Sequence, residues 1–121
     1  MHGLFEMDRV EAFCRTDHPR VRARVLTHVP CKGHRFPVWG LVIGTEDRRA
    51  PTLGLFGGVH GLERVGTHVV LAWLDTLFAR LTWDTALQRA LEDTRIVCMP
   101  LINPGGMFLG KRSNPNGVDL M

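Results

Sequence analysis

The residue types best suited to metal chemistry lie together at positions 60–63, where the sequence reads His-Gly-Leu-Glu. Imidazole nitrogen and carboxylate oxygen are both good ligands for Zn²⁺. A spacing of three residues at the start of a helix places two side chains on the same side. Gly57 and Gly58 precede the pair and permit a sharp turn and the close approach of a substrate. These residues predict a divalent-metal site formed by His60 and Glu63.

The pair also has a purely structural interpretation. A histidine followed three residues later by a glutamate is common by chance, and the helix dipole favours a glutamate in the first turn. The position between a buried strand and a helix favours the metal interpretation, because ligands of open α/β sheets bind outside the carboxyl ends of the strands. His68, further along the same helix, is expected to turn away from this loop as a packed or surface histidine.

Hydrophobic patterning predicts the two elements on either side of the pair. Residues 52–59 form a short apolar run after Pro51, typical of a strand that is buried on both faces. Apolar residues then recur at steps of three or four and predict one long helix that ends near Trp83. The members of this apolar stripe are Leu62, Val65, Val69, Trp73, Leu77 and Leu81.

The flanking segments complete an α/β pattern. The other predicted elements are a helix over 8–18, strands over 21–29 and 36–43, a helix over 84–92 and a buried strand over 95–99. Asp84 is the expected N-cap of the later helix. A strand–helix–strand order predicts a parallel crossover, while the two early strands are expected to pair antiparallel at one edge. The sequence therefore predicts a mixed, mostly parallel sheet with flanking helices.

The segment from residue 101 onward differs in character. It contains Asn-Pro-Gly-Gly at 103–106 and Ser-Asn-Pro-Asn-Gly at 113–117, which predict an ordered loop rather than a regular element. Residues 118–121 then begin a new apolar segment, on which the sequence stops. We expect the domain to be truncated at its C-terminus.

Three segments in register resemble the zinc carboxypeptidase family, also called peptidase family M14. They are Gly-Gly-Val-His-Gly-Leu-Glu at 57–63, Leu-Ile-Asn-Pro-Gly-Gly at 101–106 and Arg-Ser-Asn-Pro-Asn-Gly-Val-Asp-Leu at 112–120. The resemblance covers residues 20–121. It implies that 1–121 is the N-terminal part of a single zinc-carboxypeptidase-like catalytic domain.

The resemblance also implies a role for each matching residue. His60 and Glu63 would be two zinc ligands, with zinc activating a water as the nucleophile. Asp119 would accept a hydrogen bond from His60 and fix the tautomer of its imidazole. Arg112 would bind the substrate, polarise the scissile carbonyl and stabilise the developing oxyanion.

Two departures from the family pattern limit what this chain can do. Met121 stands where the family has an asparagine that helps to hold the terminal carboxylate of the substrate. Methionine cannot donate that hydrogen bond, so strict specificity for C-terminal residues is in doubt. The family's third zinc ligand, capping tyrosine and general-base glutamate would all lie beyond residue 121. The 121-residue chain alone is therefore expected to be inactive.

Three functions stay open at this point. The first is a zinc-dependent hydrolase of amide bonds that acts on peptides. The second is a deacylase of N-acyl amino acids, because aspartoacylase-like and succinylglutamate desuccinylase-like enzymes share the fold and an HGxE ligand pair. The third is a non-catalytic domain that keeps the fold and binds a partner.

Composition narrows the range of partners. The chain has 121 residues, of which 45% are hydrophobic and 22% charged, as in ordinary globular proteins. No apolar run approaches the roughly 20 residues that span a bilayer, so no membrane partner is expected. The net charge is +3, but the arginines at 15, 20, 22 and 24 lack interleaved aromatic residues. A solvated strand face is therefore favoured over a nucleic-acid site.

Cysteine usage and the truncated sheet give two further expectations. Three cysteines without a CxxC pair, and no secretory signal, predict reduced thiols and a cytoplasmic location. A sheet that stops early exposes a strand edge and apolar surface. We therefore expect the chain to associate with its missing C-terminal half or with itself.

Overall fold

A computed structural model of the chain describes residues 3–120, which form four helices and four strands. In chain order the elements are α1 (Phe5–Cys14), β1 (Val21–Cys31), β2 (His34–Gly44), β3 (Thr52–Phe56), α2 (Val65–Leu81), α3 (Thr85–Asp93), β4 (Arg95–Met99) and α4 (Pro104–Leu109). The predicted strands are all present, and β1 and β2 run longer than expected. The first helix begins and ends earlier than residues 8–18. The predicted α/β class is confirmed.

The four strands form one mixed sheet in the order β1-β2-β4-β3. β1 and β2 form an antiparallel hairpin at one edge, and β3 pairs parallel with β4. The predicted edge hairpin and parallel crossover are therefore confirmed. The expected predominance of parallel pairing is wrong for the described residues, because β4 lies between β3 and β2 and runs antiparallel to β2.

The strand that precedes residues 57–63, β3, differs most from its prediction. β3 was expected to be buried on both faces, yet Leu53 is 52% and Phe56 56% exposed. The reason is its place at the edge of the described sheet, where only β4 borders it. Leu55 alone among its large side chains packs against the core.

The long helix also buries a different face from the one predicted. Leu62 is exposed because residues 60–63 form a turn and α2 begins only at Val65. Val65 and Val69 belong to α2 and are exposed because the helix turns its other face to the core. The predicted stripe is therefore wrong in its first half. Its second half is confirmed at Leu77 and Leu81, which are buried. The buried residues of α2 are Thr67, Val70, Leu71, Leu74, Leu77 and Leu81.

Helices cover one face of the sheet and form the core with it. Leu41 and Ile43 of β2 and Cys98 of β4 are completely buried, in one cluster with Leu74 of α2. α3 closes this cluster, and its predicted N-cap is confirmed, since Asp84 accepts a hydrogen bond from the Leu87 N–H at 3.0 Å. α1 packs in a second, adjoining cluster that includes Phe36 and Met107. That second cluster joins the N-terminal helix to α4, next to the predicted site.

The segment after β4 is helical, which corrects the predicted loop. Asn103 accepts a hydrogen bond from the Gly106 N–H at 2.9 Å, and Pro104 occupies the first turn. An asparagine N-cap followed by proline is a helix start. Gly110 ends α4 with a left-handed backbone, at a φ of +66°. The turn residues therefore bound a short helix here.

Two further expectations concern cysteines and membranes. Cys14, Cys31 and Cys98 are all free thiols. Burial raises the pKa of Cys14 and of Cys98 to about 12, so both thiols stay protonated and unreactive at neutral pH. Within residues 3–120, none of the helices combines the length and the apolarity needed to cross a bilayer.

Candidate metal centre

Residues 57–63 leave the sheet at the carboxyl ends of β3 and β4. The Gly57 N–H donates to the Met99 carbonyl at 2.9 Å, and the Asn103 N–H donates to the Gly58 carbonyl at 2.8 Å. Gly58 has a φ of +70°, and a Cβ at this position would lie 2.5 Å from Thr67 Oγ1. Only glycine fits such a backbone at this distance. The sharp turn predicted at the glycine pair is confirmed.

A second set of backbone contacts fixes residues 60–63 against the segment that follows α4. The Leu62 N–H donates to the Lys111 carbonyl at 2.9 Å, and the Gly61 N–H donates to the Arg112 carbonyl at 3.4 Å. A Cβ on Gly61 would lie only 2.1 Å from the Gly106 carbonyl carbon. These contacts bring the His-Gly-Leu-Glu turn next to the second and third segments of the resemblance.

The two segments together place all four residues named from the sequence in one cluster. His60 Nδ1 lies 3.0 Å from Glu63 Oε2, and His60 Nε2 lies 3.4 Å from Asp119 Oδ1. Arg112 Nε donates to Asp119 Oδ2 at 2.8 Å, and Arg112 Nη1 lies 3.6 Å from Glu63 Oε1. The imidazole side chain is 15% exposed, while the other three are about half exposed. The result is a largely buried imidazole beside two carboxylates that the guanidinium of Arg112 joins.

This cluster fits part of a zinc site. An imidazole nitrogen and a carboxylate oxygen converge, which is the donor chemistry that Zn²⁺ prefers. His60 Nε2 is buried and makes no hydrogen bond in the described structure, and it faces the Asp119 carboxylate. In the described part of the chain, no group of three or more His, Cys, Asp or Glu side chains is placed to hold a metal ion. Residues 3–120 therefore offer two candidate ligands.

The guanidinium of Arg112 is held in the cluster by charge. Its hydrogen bond to Asp119 raises the pKa of Arg112 above its ordinary value, and the nearby Glu63 carboxylate acts in the same direction. The side chain remains half exposed, so its outer face is open to a ligand. Met121, the position at which the sequence departs from the family, lies outside the described residues.

Asn103 belongs to the motif at 101–106, but sequence reasoning assigned it no separate role. Its side chain is almost completely buried, and its Nδ2 donates to the carbonyls of Val59 at 3.1 Å and Ser113 at 3.0 Å. One amide therefore ties the residue before His60 to the residue after Arg112. The Asn-Pro pair, typical of a helix start, was the signal in the sequence that could have indicated a structural role for Asn103.

A buried ion cluster directly behind the metal loop was also missed. Glu6 of α1 is 4% exposed, and it accepts hydrogen bonds from Arg64 Nη1 at 2.8 Å and from His68 Nε2 at 2.9 Å. Arg64 also donates to the Met107 carbonyl at 3.2 Å. Glu6 therefore anchors the start of α2, directly after Glu63, to α1 and α4. His68 does turn away from the loop, as the sequence predicts.

We expect replacement of Glu6 by glutamine to lower the free energy of unfolding by about 1–3 kcal/mol at pH 7, because Arg64 and His68 lose a buried charged acceptor. Burial tends to raise the pKa of Glu6, but hydrogen bonds from His68, its own backbone and Arg64 hold the pKa below its usual value. Because the pKa of Glu6 is lowered in the folded state, the stabilisation is fully present above the ordinary glutamate pKa of about 4.3. It is lost as the pH falls below that value and Glu6 takes up a proton in the folded state.

The measurement is urea unfolding of the wild-type chain and of the Glu6→Gln variant at a series of pH values. The difference between the two should shrink as the pH falls below about 4.3. Glu92→Gln, at an exposed position of α3, is the matched control and should change little. A pH-independent difference would contradict the role given to the Glu6 charge.

The turn between β3 and α2 therefore carries a His–Glu pair with the donor chemistry of a divalent-metal site. Residues 34–121 match the family model described as zinc carboxypeptidase. The chain belongs to the zinc carboxypeptidase family, as the resemblance of its three motifs implied.

Several known proteins are similar to this chain in sequence or in fold. Carboxypeptidase SOL1 of Arabidopsis thaliana is 33% identical to this chain over 88 residues, 70% of this chain and 18% of that protein. The crystal structure of a metallo-carboxypeptidase from Burkholderia cenocepacia superposes with a TM-score of 0.73 at 19% identity, over 93% of this chain and 30% of that one. An aspartoacylase family protein from Mesorhizobium loti superposes with a TM-score of 0.53 at 24% identity, over 85% and 30%. The chain thus spans less than a third of each of these proteins.

Proposed function

We propose that this chain contributes to a zinc-dependent hydrolase of amide bonds, with peptides as substrates. The single observation that carries the proposal is the convergence of His60 Nδ1 and Glu63 Oε2, 3.0 Å apart, beside Arg112. The zinc carboxypeptidase match over residues 34–121 supports the same chemistry. When bound, zinc supplies a Lewis acid and lowers the pKa of a coordinated water to about 7.

Residues of this chain would position the metal and stabilise the negative charge that develops on the substrate. His60 and Glu63 would hold the metal. Asp119 would accept a hydrogen bond from the Nε2–H of His60, so that Nδ1 carries no proton and is free to bind the metal. The half-exposed guanidinium of Arg112 would donate hydrogen bonds to the carbonyl oxygen of the substrate as negative charge develops there. A third ligand and a general base would come from residues outside this chain, and we therefore expect no turnover by residues 1–121 alone.

Removal of the Asp119 carboxylate tests the positioning step. We expect Asp119→Ala to weaken Zn²⁺ binding about 10–100-fold, because loss of a partner that orients a ligand histidine has effects of that size. Isothermal titration with Zn²⁺ measures it. Asp93→Ala, at an exposed position on the last residue of α3, is the control and should bind zinc unchanged. Equal affinity in the wild type and in Asp119→Ala would show that Asp119 does not orient His60.

A deacylase of N-acyl amino acids is the second candidate. The fold likeness to the aspartoacylase family protein favours it, as does Met121, which cannot donate the hydrogen bond of the family's asparagine. An assay of the longest natural polypeptide that contains this sequence distinguishes the peptidase from the deacylase. Hydrolysis of a blocked dipeptide with a free C-terminus supports the peptidase, and hydrolysis of an N-acetyl amino acid supports the deacylase. A zinc-loaded protein that binds both and hydrolyses neither would indicate a non-catalytic domain.

We also propose association through the edge of β3. Leu53 and Phe56 are exposed there, and an open strand edge with apolar side chains is a site at which another strand adds. The added strand would come from the remainder of such a domain or from a second copy of the chain. We expect light scattering at micromolar concentration to show species larger than a monomer. A monodisperse, folded monomer would contradict this association.

The compartment and the remaining partners stay predictions from the sequence. The expected cytoplasmic location rests on the cysteine pattern, three cysteines without a CxxC pair. The absence of nucleic-acid partners rests on arginines without stacking aromatic residues.

A further inference from the structure

The N-terminal helix α1 places a buried carboxylate behind the turn at residues 60–63. Glu6 is 4% exposed and shares the buried face of α1 with Met7. A charged carboxylate is buried at a high cost unless it is paired and hydrogen-bonded. Each of its two oxygens accepts one hydrogen bond, from Arg64 and from His68. A specific polar contact therefore holds α1 against the start of α2, in addition to apolar packing.

The guanidinium of Arg64 joins three parts of the chain. Nη1 donates to Glu6 Oε1 at 2.8 Å, and Nη2 donates to the Met107 carbonyl of α4 at 3.2 Å. The backbone of Arg64 is the N-cap of α2, with a φ of −70°, and it directly follows Glu63. Because the donors of a guanidinium have a fixed planar geometry, Arg64 holds the first residue after the candidate ligand against both α1 and α4.

The backbone around Glu63 is fixed from two sides. Residues 60–63 form a turn before α2 begins, so contacts with the surrounding segments hold them in place. On the N-terminal side, the Leu62 N–H donates to the Lys111 carbonyl at 2.9 Å. On the C-terminal side, the side chain of Arg64 supplies the anchor. The position of the Glu63 carboxylate therefore depends on Arg64.

The placement of Glu63 has a direct effect on metal affinity. Its side chain is about half exposed, and immobilising such a side chain on binding costs free energy. A binding site keeps its geometry only where the residues around its ligands hold them in place. Only two candidate ligands converge in residues 3–120, so the affinity is sensitive to the position of each.

The two oxygens of Glu6 make contacts with different consequences. Oε1 accepts from Arg64, next to the candidate ligand, whereas Oε2 accepts from His68 Nε2 at 2.9 Å, one turn further along α2. His68 turns away from residues 60–63, so its contact joins one helix to another. The contact of Arg64 joins α1 to the turn itself. Substitutions of Arg64 and of His68 therefore separate placement of the ligand from support of the fold.

We propose that Glu6 is a positioning residue for the metal centre and acts through Arg64 to hold Glu63 in place for the ion. This role rests on the proposed function, because it takes His60 and Glu63 as the metal ligands. It extends the metal centre to α1, which lies outside residues 34–121 that match the family model. Loss of the contact between α1 and Arg64 then lowers the affinity for zinc.

The test measures zinc affinity by competition with a chromophoric chelator, in the longest natural polypeptide that contains this sequence. We expect Glu6→Gln and Arg64→Met each to weaken zinc binding about five- to tenfold, at or below the lower end of the roughly 10–100-fold effect of groups that touch a ligand histidine directly. The double variant should bind zinc no more weakly than Arg64→Met alone, because both substitutions remove the same contact.

Two further variants separate positioning from a general loss of stability. Leu91→Ala, at a buried residue of α3 in the core cluster that contains Leu74, should lower the midpoint of urea unfolding and leave zinc affinity unchanged. His68→Ala should behave in the same way, since Arg64 keeps its contact with Glu6. Urea unfolding of the metal-free proteins verifies that each variant is folded and ranks their stabilities.

The outcomes distinguish this role from the proposed function. Unchanged zinc affinity in Glu6→Gln and Arg64→Met, together with loss of zinc binding in His60→Ala, would overturn the role of Glu6 and leave the proposed function intact. A loss of affinity in Leu91→Ala or His68→Ala as large as in Glu6→Gln would show that affinity follows stability alone. A wild-type protein that binds no zinc would overturn both.

Discussion

Replacement of His60 by alanine should weaken the binding of Zn²⁺ by at least about a hundredfold, since loss of a ligand exceeds the 10–100-fold effect of losing its orienting partner. Only two candidate ligands converge in the described residues, and Glu63 alone cannot chelate the ion. Glu63→Gln should have a similar effect, because it keeps the size of the side chain and removes the charge. The expected wild-type result is binding of one Zn²⁺ per chain by isothermal titration.

The control is His28→Ala, an exposed histidine on β1. It should bind zinc as the wild type does. A second readout is thermal unfolding with and without zinc, because an ion that binds only the folded state raises the melting temperature. Zinc should raise it in the wild type and in His28→Ala, and not in His60→Ala. Unchanged zinc affinity in both His60→Ala and Glu63→Gln would rule out the candidate metal centre.

Local signals in the sequence were sufficient for much of the fold. Glycines before a polar pair, Asp84 at a helix start and alternating apolar residues each depend on neighbours within a few positions, and the structure confirms the elements they predict. The face that α2 buries could not be read in the same way. Leu62, Val65 and Val69 have the spacing of a core stripe, but the close approach of Gly61 to α4 keeps Leu62 out of the helix, and α2 packs on the sheet through a different face from the one that carries Val65 and Val69. That constraint lies in the tertiary structure.

In the candidate site, too, some features follow from residues that are close in sequence and others depend on the tertiary structure. His60 and Glu63 are close in sequence, so their spacing predicts that they meet. Their approach to Arg112 required the motif resemblance, because it depends on backbone hydrogen bonds between residues 61–62 and 111–112. Glu6 carried no signal, since nothing in a single sequence links it to Arg64, 58 positions away. Long-range polar pairs of this kind become visible only once the fold is known.

The buried face of α2 gives the second large expected effect. Leu74 is completely buried between α2 and the sheet, in the cluster that contains Leu41 and Ile43. Leu74→Ala removes three buried carbon atoms and leaves a cavity, so the free energy of unfolding should fall by about 2–5 kcal/mol. That is a large share of the roughly 5–15 kcal/mol that stabilises a typical domain. Urea unfolding followed by circular dichroism measures the change.

Val69→Ala is the matched control on the same helix, because the apolar spacing of the sequence predicts Val69 to be buried whereas the structure leaves it 62% exposed. Its effect should stay within about 0.5 kcal/mol, as for surface substitutions in general. The pair of variants therefore distinguishes the two possible orientations of α2. A loss at Val69 as large as that at Leu74 would mean that α2 is rotated about its axis. The turn that carries His60 and Glu63 would then join the helix from a different direction, and the geometry of the metal centre would have to change with it.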